Sequence, residues 1–189
     1  APPERGQAPV PLDEGSFFDL TTTDVAGTLR KETIRTLETM SIPVEYSFHE
    51  DAPSQQEIDL RHTDALTMAD SVMTFRLVVK EVAAKQGVHA TFMPKPLEGV
   101  QGSGMHMHLS LFKGDDNAFY DADDAYRLST VAKQFIAGLL FHAAEITAIT
   151  QGSTLKALAA TTATKPPSIR LVASGSVSFA TNPSSVPPP

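Results

Sequence analysis

Apolar residues recur with helical spacing in three stretches of the chain. Residues 24–40 carry Val25, Leu29, Ile34, Leu37 and Met40 near one face. Residues 64–86 repeat Ala65, Ala69, Val72, Val79 and Ala83, with Asp64 placed to cap the start and Gly87 to stop the end. Residues 129–149 repeat Val131, Ala132, Phe135, Leu139, Ala143 and Ile146 behind Ser129 as cap. Between the helices the period changes to two. Residues 43–50 and 55–60 read as strands joined by a short Pro/Ser turn, and residues 88–93 as a third strand. Residues 105–112 alternate most cleanly. Residues 113–117 follow as a turn and 118–120 as a short return strand. Helices mixed with hairpin-connected strands predict an α+β fold with an antiparallel sheet flanked by helices.

The ends have a different texture. Residues 1–15 hold Pro2, Pro3, Pro9 and Pro11 and little that packs, so they read as a Pro-rich lead-in. In residues 151–189, 24 of 39 positions are Ala, Ser, Thr or Pro. Such a segment buries too little apolar surface to offset its ordering entropy, and it is expected to be an irregular, disordered tail. The globular part is therefore placed at 16–150.

Composition narrows the function classes. In 189 residues, 15 Lys+Arg stand against 22 Asp+Glu, a net charge of −7. That balance argues against a nucleic-acid binder, which needs a basic face. No apolar run approaches the length of a membrane span. The start lacks a basic segment followed by an apolar one, so no signal peptide is expected. Cysteine is absent, which excludes disulfides, thiolate zinc sites and cysteine nucleophiles, and fits a reducing compartment.

Two constellations carry candidate chemistry. In residues 102–111, Gly-Ser-Gly-Met-His-Met-His-Leu-Ser-Leu, the pleat puts His106, His108 and Ser110 on one face and Met105, Met107, Leu109 and Leu111 on the other. Two imidazoles on one face suit a metal ion or a phosphate, and the Gly-Ser-Gly lets backbone approach a substrate. A half-exposed strand that merely carries histidines gives the same pattern. The second constellation is Glu50 and Glu57, which a four-residue connection between strands brings near each other. Paired carboxylates hold a hard cation such as Mg²⁺ or Mn²⁺. A solvated acidic strand edge is the alternative, and Asp59 reads as a surface charge. Asp115, Asp116, Asp121, Asp123 and Asp124 read as turn residues, and Lys95 as either a phosphate contact or a corner between two prolines. The chain has no Gly-x-x-x-x-Gly-Lys phosphate loop, so a nucleotide would be held another way.

These residues resemble a known family. Phe92-Met93-Pro94-Lys95-Pro96 followed by Gly102 to Leu111 is similar to the catalytic signature of glutamine synthetases. Val44-Glu45, then His49-Glu50-x-Ala52-Pro53-x-Gln55-Gln56-Glu57-Ile58, resembles that family's metal-carboxylate segment, and Asp13-x-Gly15-x-Phe17-Phe18-Asp19 and Ala69-Asp70 fall in family order. The likeness covers roughly residues 13–150 and is nearest the actinobacterial type of glutamine synthetase-like ligase.

The resemblance implies part of a glutamine synthetase catalytic domain: a cytoplasmic, ring-forming homo-oligomer that ligates ammonia to glutamate through γ-glutamyl phosphate, using ATP and Mg²⁺ or Mn²⁺. It implies Glu50 and Glu57 as ligands of the metal nearest glutamate, and His106 as ligand of the metal at the nucleotide phosphates. It also implies His108 at the transferring phosphate, Gly102 at the amino-acid substrate, and Ser110 and His62 at the nucleotide. Partners are then glutamate, ammonia or a small amine, and ATP, with no nucleic acid and no membrane.

Four positions depart from the family pattern. Phe48 replaces the first His of His-His-Glu, Ser54 replaces a Gly, Gln101 replaces the Asn before Gly-Ser-Gly, and His62 stands where an aromatic packs near the base. The family's N-terminal β-grasp domain, its Glu-x-Glu strand and its Asn-Ser-Tyr-Lys-Arg-Leu and Asn-Arg-Ser segments have no counterpart in these residues. The expectation is an incomplete catalytic domain, inactive alone. A γ-glutamyl-polyamine or amine ligase of the same family and a non-catalytic metal-binding remnant are the alternatives.

Overall fold

The computed structural model describes residues 10–15, 17–19, 26–150 and 169–183. Element order is α1 (Gly27–Thr39), β1 (Val44–His49), β2 (Gln55–Asp64), α2 (Ala65–Lys85), β3 (Val88–Thr91), β4 (Met105–Lys113), β5 (Asp116–Asn117), α3 (Thr130–Phe141), α4 (Ala143–Thr150) and β6 (Ile169–Pro183). The pairs β1–β2, β3–β6 and β4–β5 are all antiparallel; β1–β2 and β4–β5 follow from period-two runs and short connections, whereas β6 lies in the segment read as tail. The described residues fall into two compact units: the first draws on those up to Arg61, on Ser71–His106 and on the end of β6 from Gly175, the second on His62–Asp70, on those from Met107 to 150 and on the start of β6.

In the first unit, α1 buries Leu29, Thr33 and Leu37, one residue per turn, and lies against β1. Its start differs from the sequence expectation: the helix begins at Gly27 without a side-chain cap, and Asp24 and Val25 lie outside the described residues. In β2, Gln56, Ile58 and Leu60 share one face, where Arg30 of α1 bonds the Gln56 side chain. Gln55, Glu57 and Asp59 share the other. The core is completed by Val72, Phe75, Val79 and Ala83 of α2, each at most 1 % exposed, and by Ala90 of β3. Asp64 Oδ1 accepts from Thr67 N at 3.0 Å and Gly87 takes φ +71°, the predicted start and stop of α2.

The tail departs from expectation in part. Ile169–Pro183 forms β6, and its C-terminal end pairs with β3 from Val88↔Pro183 to Thr91↔Ala180. Averaged composition hid this run, and the unpaired backbone of a short edge strand gave it a partner. Residues 151–168 and 184–189 lie outside the described set, as do 1–9 of the lead-in.

In the second unit, β4 turns through Gly114 (φ +62°) into β5, which is shorter and earlier than the predicted return strand. Phe112 pairs with Asn117, Lys113 with Asp116, and Ala118 N donates to Leu111 O at 2.7 Å. The aspartates that follow do turn chemistry: Asp121 Oδ1 accepts from Asp123 N, and Asp124 Oδ1 from Tyr126 N, both at 3.0 Å. Ser129 Oγ caps α3 through Ala132 N at 3.1 Å. The predicted third helix is broken at His142 into α3 and α4. Its apolar stripe is mostly open: Val131, Ile136 and Leu139 are exposed and Ala132 is buried. Helical periodicity marks a face that burial would favour, and burial requires a second surface laid on it.

Phe75→Ala is expected to lower the unfolding free energy by about 3–5 kcal/mol, because its site is closed on every side. Met73→Ala, at a position 56 % exposed on the same helix, is expected to change it by less than about 0.5 kcal/mol. Urea denaturation of the two variants checks the contrast.

Candidate functional site

The β1–β2 hairpin builds the site. Glu50 N donates to Gln55 O at 2.9 Å and closes a tight turn over residues 51–54. Ser54 takes φ +57°, the left-handed conformation that favours glycine. Local bonds offset that strain. Ser54 N donates to Asp13 Oδ1 at 2.6 Å, and Ser54 Oγ accepts from Leu12 N. The segment around Asp13 is thereby strapped to the turn. Gly15, at φ +88°, completes the strap: a Cβ there would sit 2.6 Å from Asp51 O.

His49 is 2 % exposed and joins this strap to the site. Its Nε2 lies 3.0 Å from Asp13 Oδ1, and its Nδ1 2.5 Å from Glu50 O. Both neighbours are oxygens, so the ring is held between the Asp13 strap and the backbone at Glu50. Burial alone would raise the Asp13 carboxyl. His49 and the Ser54 N–H outweigh it and hold the carboxyl below the usual range. Sequence spacing gave no signal for the Asp13–His49 pair, whose members lie 36 positions apart.

Several acidic side chains gather along the face of β2 that carries Glu57 and Asp59. Register places Phe48 opposite Glu57 and Tyr46 opposite Asp59. A bulge between Val44 and Tyr46 inserts Glu45 into this neighbourhood. Glu50 is half-buried, accepts from Asp51 N at 2.7 Å, and meets the Glu57 carboxyl in hydrogen-bonding contact. Burial, then this contact and the charge of Glu57, raise its pKa. Asp59 is 8 % exposed, and its Oδ2 is buried with no hydrogen-bond partner among the described residues. Burial first, then Glu57, Glu45 and Glu50, push it up to about 7. Asp59 is therefore not the surface charge expected of it. The period-two row Gln55, Glu57, Asp59 was the available signal.

The glycine loop is joined to the same turn. Gln55 Nε2 donates to Gly102 O at 3.0 Å and to Ser103 Oγ at 3.1 Å, while Gln101 Nε2 donates to Asp51 Oδ2. Ser103 N donates to Pro94 O at 2.7 Å. A Cβ on Gly102 would meet that same Pro94 O at 2.6 Å, so glycine is required there for space.

The family model described as glutamine synthetase, catalytic domain, matches residues 2–155. The chain belongs to this family. It is 57% identical over 148 residues to a glutamine synthetase of Mycobacterium bovis, covering 78% of this chain and 33% of that protein. It is 50% identical over 138 residues to one of Thermus thermophilus, covering 73% and 31%. Among solved structures, a Plasmodium falciparum glutamine synthetase superposes with TM-score 0.69 at 33% identity, over 72% of this chain and 26% of that one. GmaS without ligand superposes with TM-score 0.68 at 28% identity, over 84% and 41%. The chain thus spans about a third of the length of the curated relatives it matches.

Within this glutamine synthetase fold, Glu50 and Glu57 come together and Gly102 is tied to their hairpin. His106 is exposed at the start of β4, and among the described residues no three His, Cys, Asp or Glu side chains gather closely enough to grip a metal ion. His106 therefore does not join Glu50 and Glu57 in one cluster. His108 is exposed and Ser110 half-buried on β4 of the second unit, where His62 is exposed near the end of β2. The strand is less cleanly two-faced than its sequence, since Met107 is 42 % exposed.

Stability of the metal-free protein is expected to fall as pH rises from roughly 4 to 7. The folded state keeps the Asp59 proton up to about 7, whereas the unfolded chain releases it near 4. The raised Glu50 acts in the same direction, and Asp13 is ionised throughout the window. Asp59→Asn is expected to reduce the slope and to raise the thermal midpoint at pH 8 by roughly 2–8 °C. Thermal melts of both proteins at pH 5 and pH 8 check this; equal slopes would refute it.

Proposed function

We propose that the chain supplies the carboxylate and glycine-loop part of a site that ligates ammonia to glutamate, with ATP and Mg²⁺ or Mn²⁺. The observation that carries this reading is the convergence of the Glu50 and Glu57 carboxyls, in hydrogen-bonding contact on one face of the hairpin with Asp59 buried nearby. Their hard oxygen donors fit a divalent cation, and Mg²⁺ is commonly held by one or two carboxylates with the remaining positions left to water and substrate phosphates. Bound there, the cation would neutralise the charge that builds on the oxygens during phosphoryl transfer.

The chain's own residues then have defined tasks. Glu50 and Glu57 hold the cation nearest glutamate, and His49 with Asp13 fixes the backbone at Glu50. Gly102 presents its backbone to the amino-acid substrate. The reading assigns His106 to the cation at the nucleotide, His108 to the transferring phosphate, and Ser110 and His62 to the nucleotide. In the first step a glutamate side-chain oxygen attacks the γ-phosphorus and ADP leaves. In the second, ammonia attacks the acyl carbon and phosphate leaves.

A second reading has an observation of its own. Phe18 stacks on Phe48 with centroids 4.3 Å apart, and Phe17 and Tyr46 adjoin them beside the carboxylates. An aromatic surface next to negative charge suits an alkylammonium better than ammonium, so the acceptor in this reading is a small amine.

Manganese binding followed by electron paramagnetic resonance tests the cation pair. Saturable binding is expected, weakened at least roughly tenfold in Glu57→Gln; unchanged affinity there would remove the basis of the reading. Glutamate-dependent phosphate release with ammonia, against release only with a short alkylamine, separates the two acceptors.

A further inference from the structure

Gln55 is the first residue of β2 and is 3 % exposed. Its whole amide is used. Oε1 accepts from Ala52 N at 3.1 Å, inside the turn that follows Glu50. The two Nε2 hydrogens serve Gly102 O and Ser103 Oγ. One buried side chain thus holds the turn beside Glu50 with one end and the glycine loop with the other. It also lies on the face of β2 that carries Glu57 two residues further on.

The loop has little freedom against its other neighbour. Ser103 N is bonded to Pro94 O, and Gly102 has no room for a single added carbon. The second link between loop and turn, Gln101 to Asp51, is exposed, so water competes for it. The Gln55 side chain is buried and its bonds to the loop part-buried, so water competes less for them, and an amide that lets go there leaves unsatisfied groups behind. A change in the spacing of Glu50 and Glu57 therefore has a stiff connection to the Gly102 carbonyl.

We propose that Gln55 is a positioning residue that transmits cation occupancy of the Glu50–Glu57 pair to the Gly102–Ser103 loop. The proposal rests on the reading of that pair as a cation site. Gln55 itself contacts neither substrate nor cation; it acts through the loop whose backbone faces the amino acid.

The test uses the full 189-residue chain with Mn²⁺ alone as the probe. Amide hydrogen exchange is read at Gly102, Ser103 and Gly104, and Mn²⁺ affinity is read in the same samples. In the unaltered chain, saturating Mn²⁺ is expected to slow loop exchange roughly tenfold. Gln55→Met keeps the length and bulk of the side chain but donates nothing. Mn²⁺ should bind this variant within about twofold of the unaltered affinity, while loop exchange no longer responds to it. Ser103→Ala removes one acceptor outside the core and should cut the response to roughly a third, which keeps the test open if Gln55→Met fails to fold. A side chain that merely packs against the loop would speed basal exchange and leave the fold-response to Mn²⁺ intact. An undiminished response in either folded variant overturns the proposal alone. Absence of saturable Mn²⁺ binding by the unaltered chain overturns the cation reading, and this proposal with it.

Discussion

Carboxylates that share one partly closed surface repel one another unless protons or cations intervene. The outer face of the β1–β2 hairpin is built on that constraint. Glu50 and Glu57 touch, Asp59 is buried beside them, and a bulge adds Glu45 to the field. Side chains of this kind are normally solvated. Here the backbone pairing of two strands holds them in place, and the opposite face of β2 is committed to the core through Ile58 and Leu60. The strand cannot slip by one residue to relieve the repulsion, because a slip would exchange the acids with Ile58 and Leu60, which pack in the apolar core.

The remaining features of the first unit keep this frame rigid. Ser54 occupies a backbone conformation that glycine adopts more easily, and its hydroxyl and amide are bound to the Leu12–Asp13 segment. His49, fixed between Asp13 and the Glu50 carbonyl, carries the strap to the metal-binding candidate. The Ser54 hydroxyl thus anchors a segment that a residue without a side chain could not hold in this way. Gln55 extends the same framework to Gly102.

The second unit shows a different balance. Its connections are held by local bonds: aspartates closing turns, Ser129 capping α3, and Phe119 against Phe135 with ring centroids 5.1 Å apart. Yet the apolar stripe of α3 is largely exposed. Local bonds determine where such elements begin and end, whereas burial needs a partner surface.

The sequence determined the elements of this protein because their signals are short-range. Period-two and helical spacing, Asp64 and Ser129 as caps, and Gly87 as a stop act within a few residues and were legible without coordinates. Family motifs likewise pointed to Glu50, Glu57 and Gly102 as candidates, since the motif order is written along the chain. Tertiary structure decided what depends on distant partners. It made Asp59 a buried acid, joined Asp13 to His49, bound Gln55 to the glycine loop, and gave residues 169–183 a strand to pair with. Burial, electrostatic repulsion and long-range hydrogen bonds are properties of neighbours in space, and no local pattern in the sequence encodes who those neighbours will be.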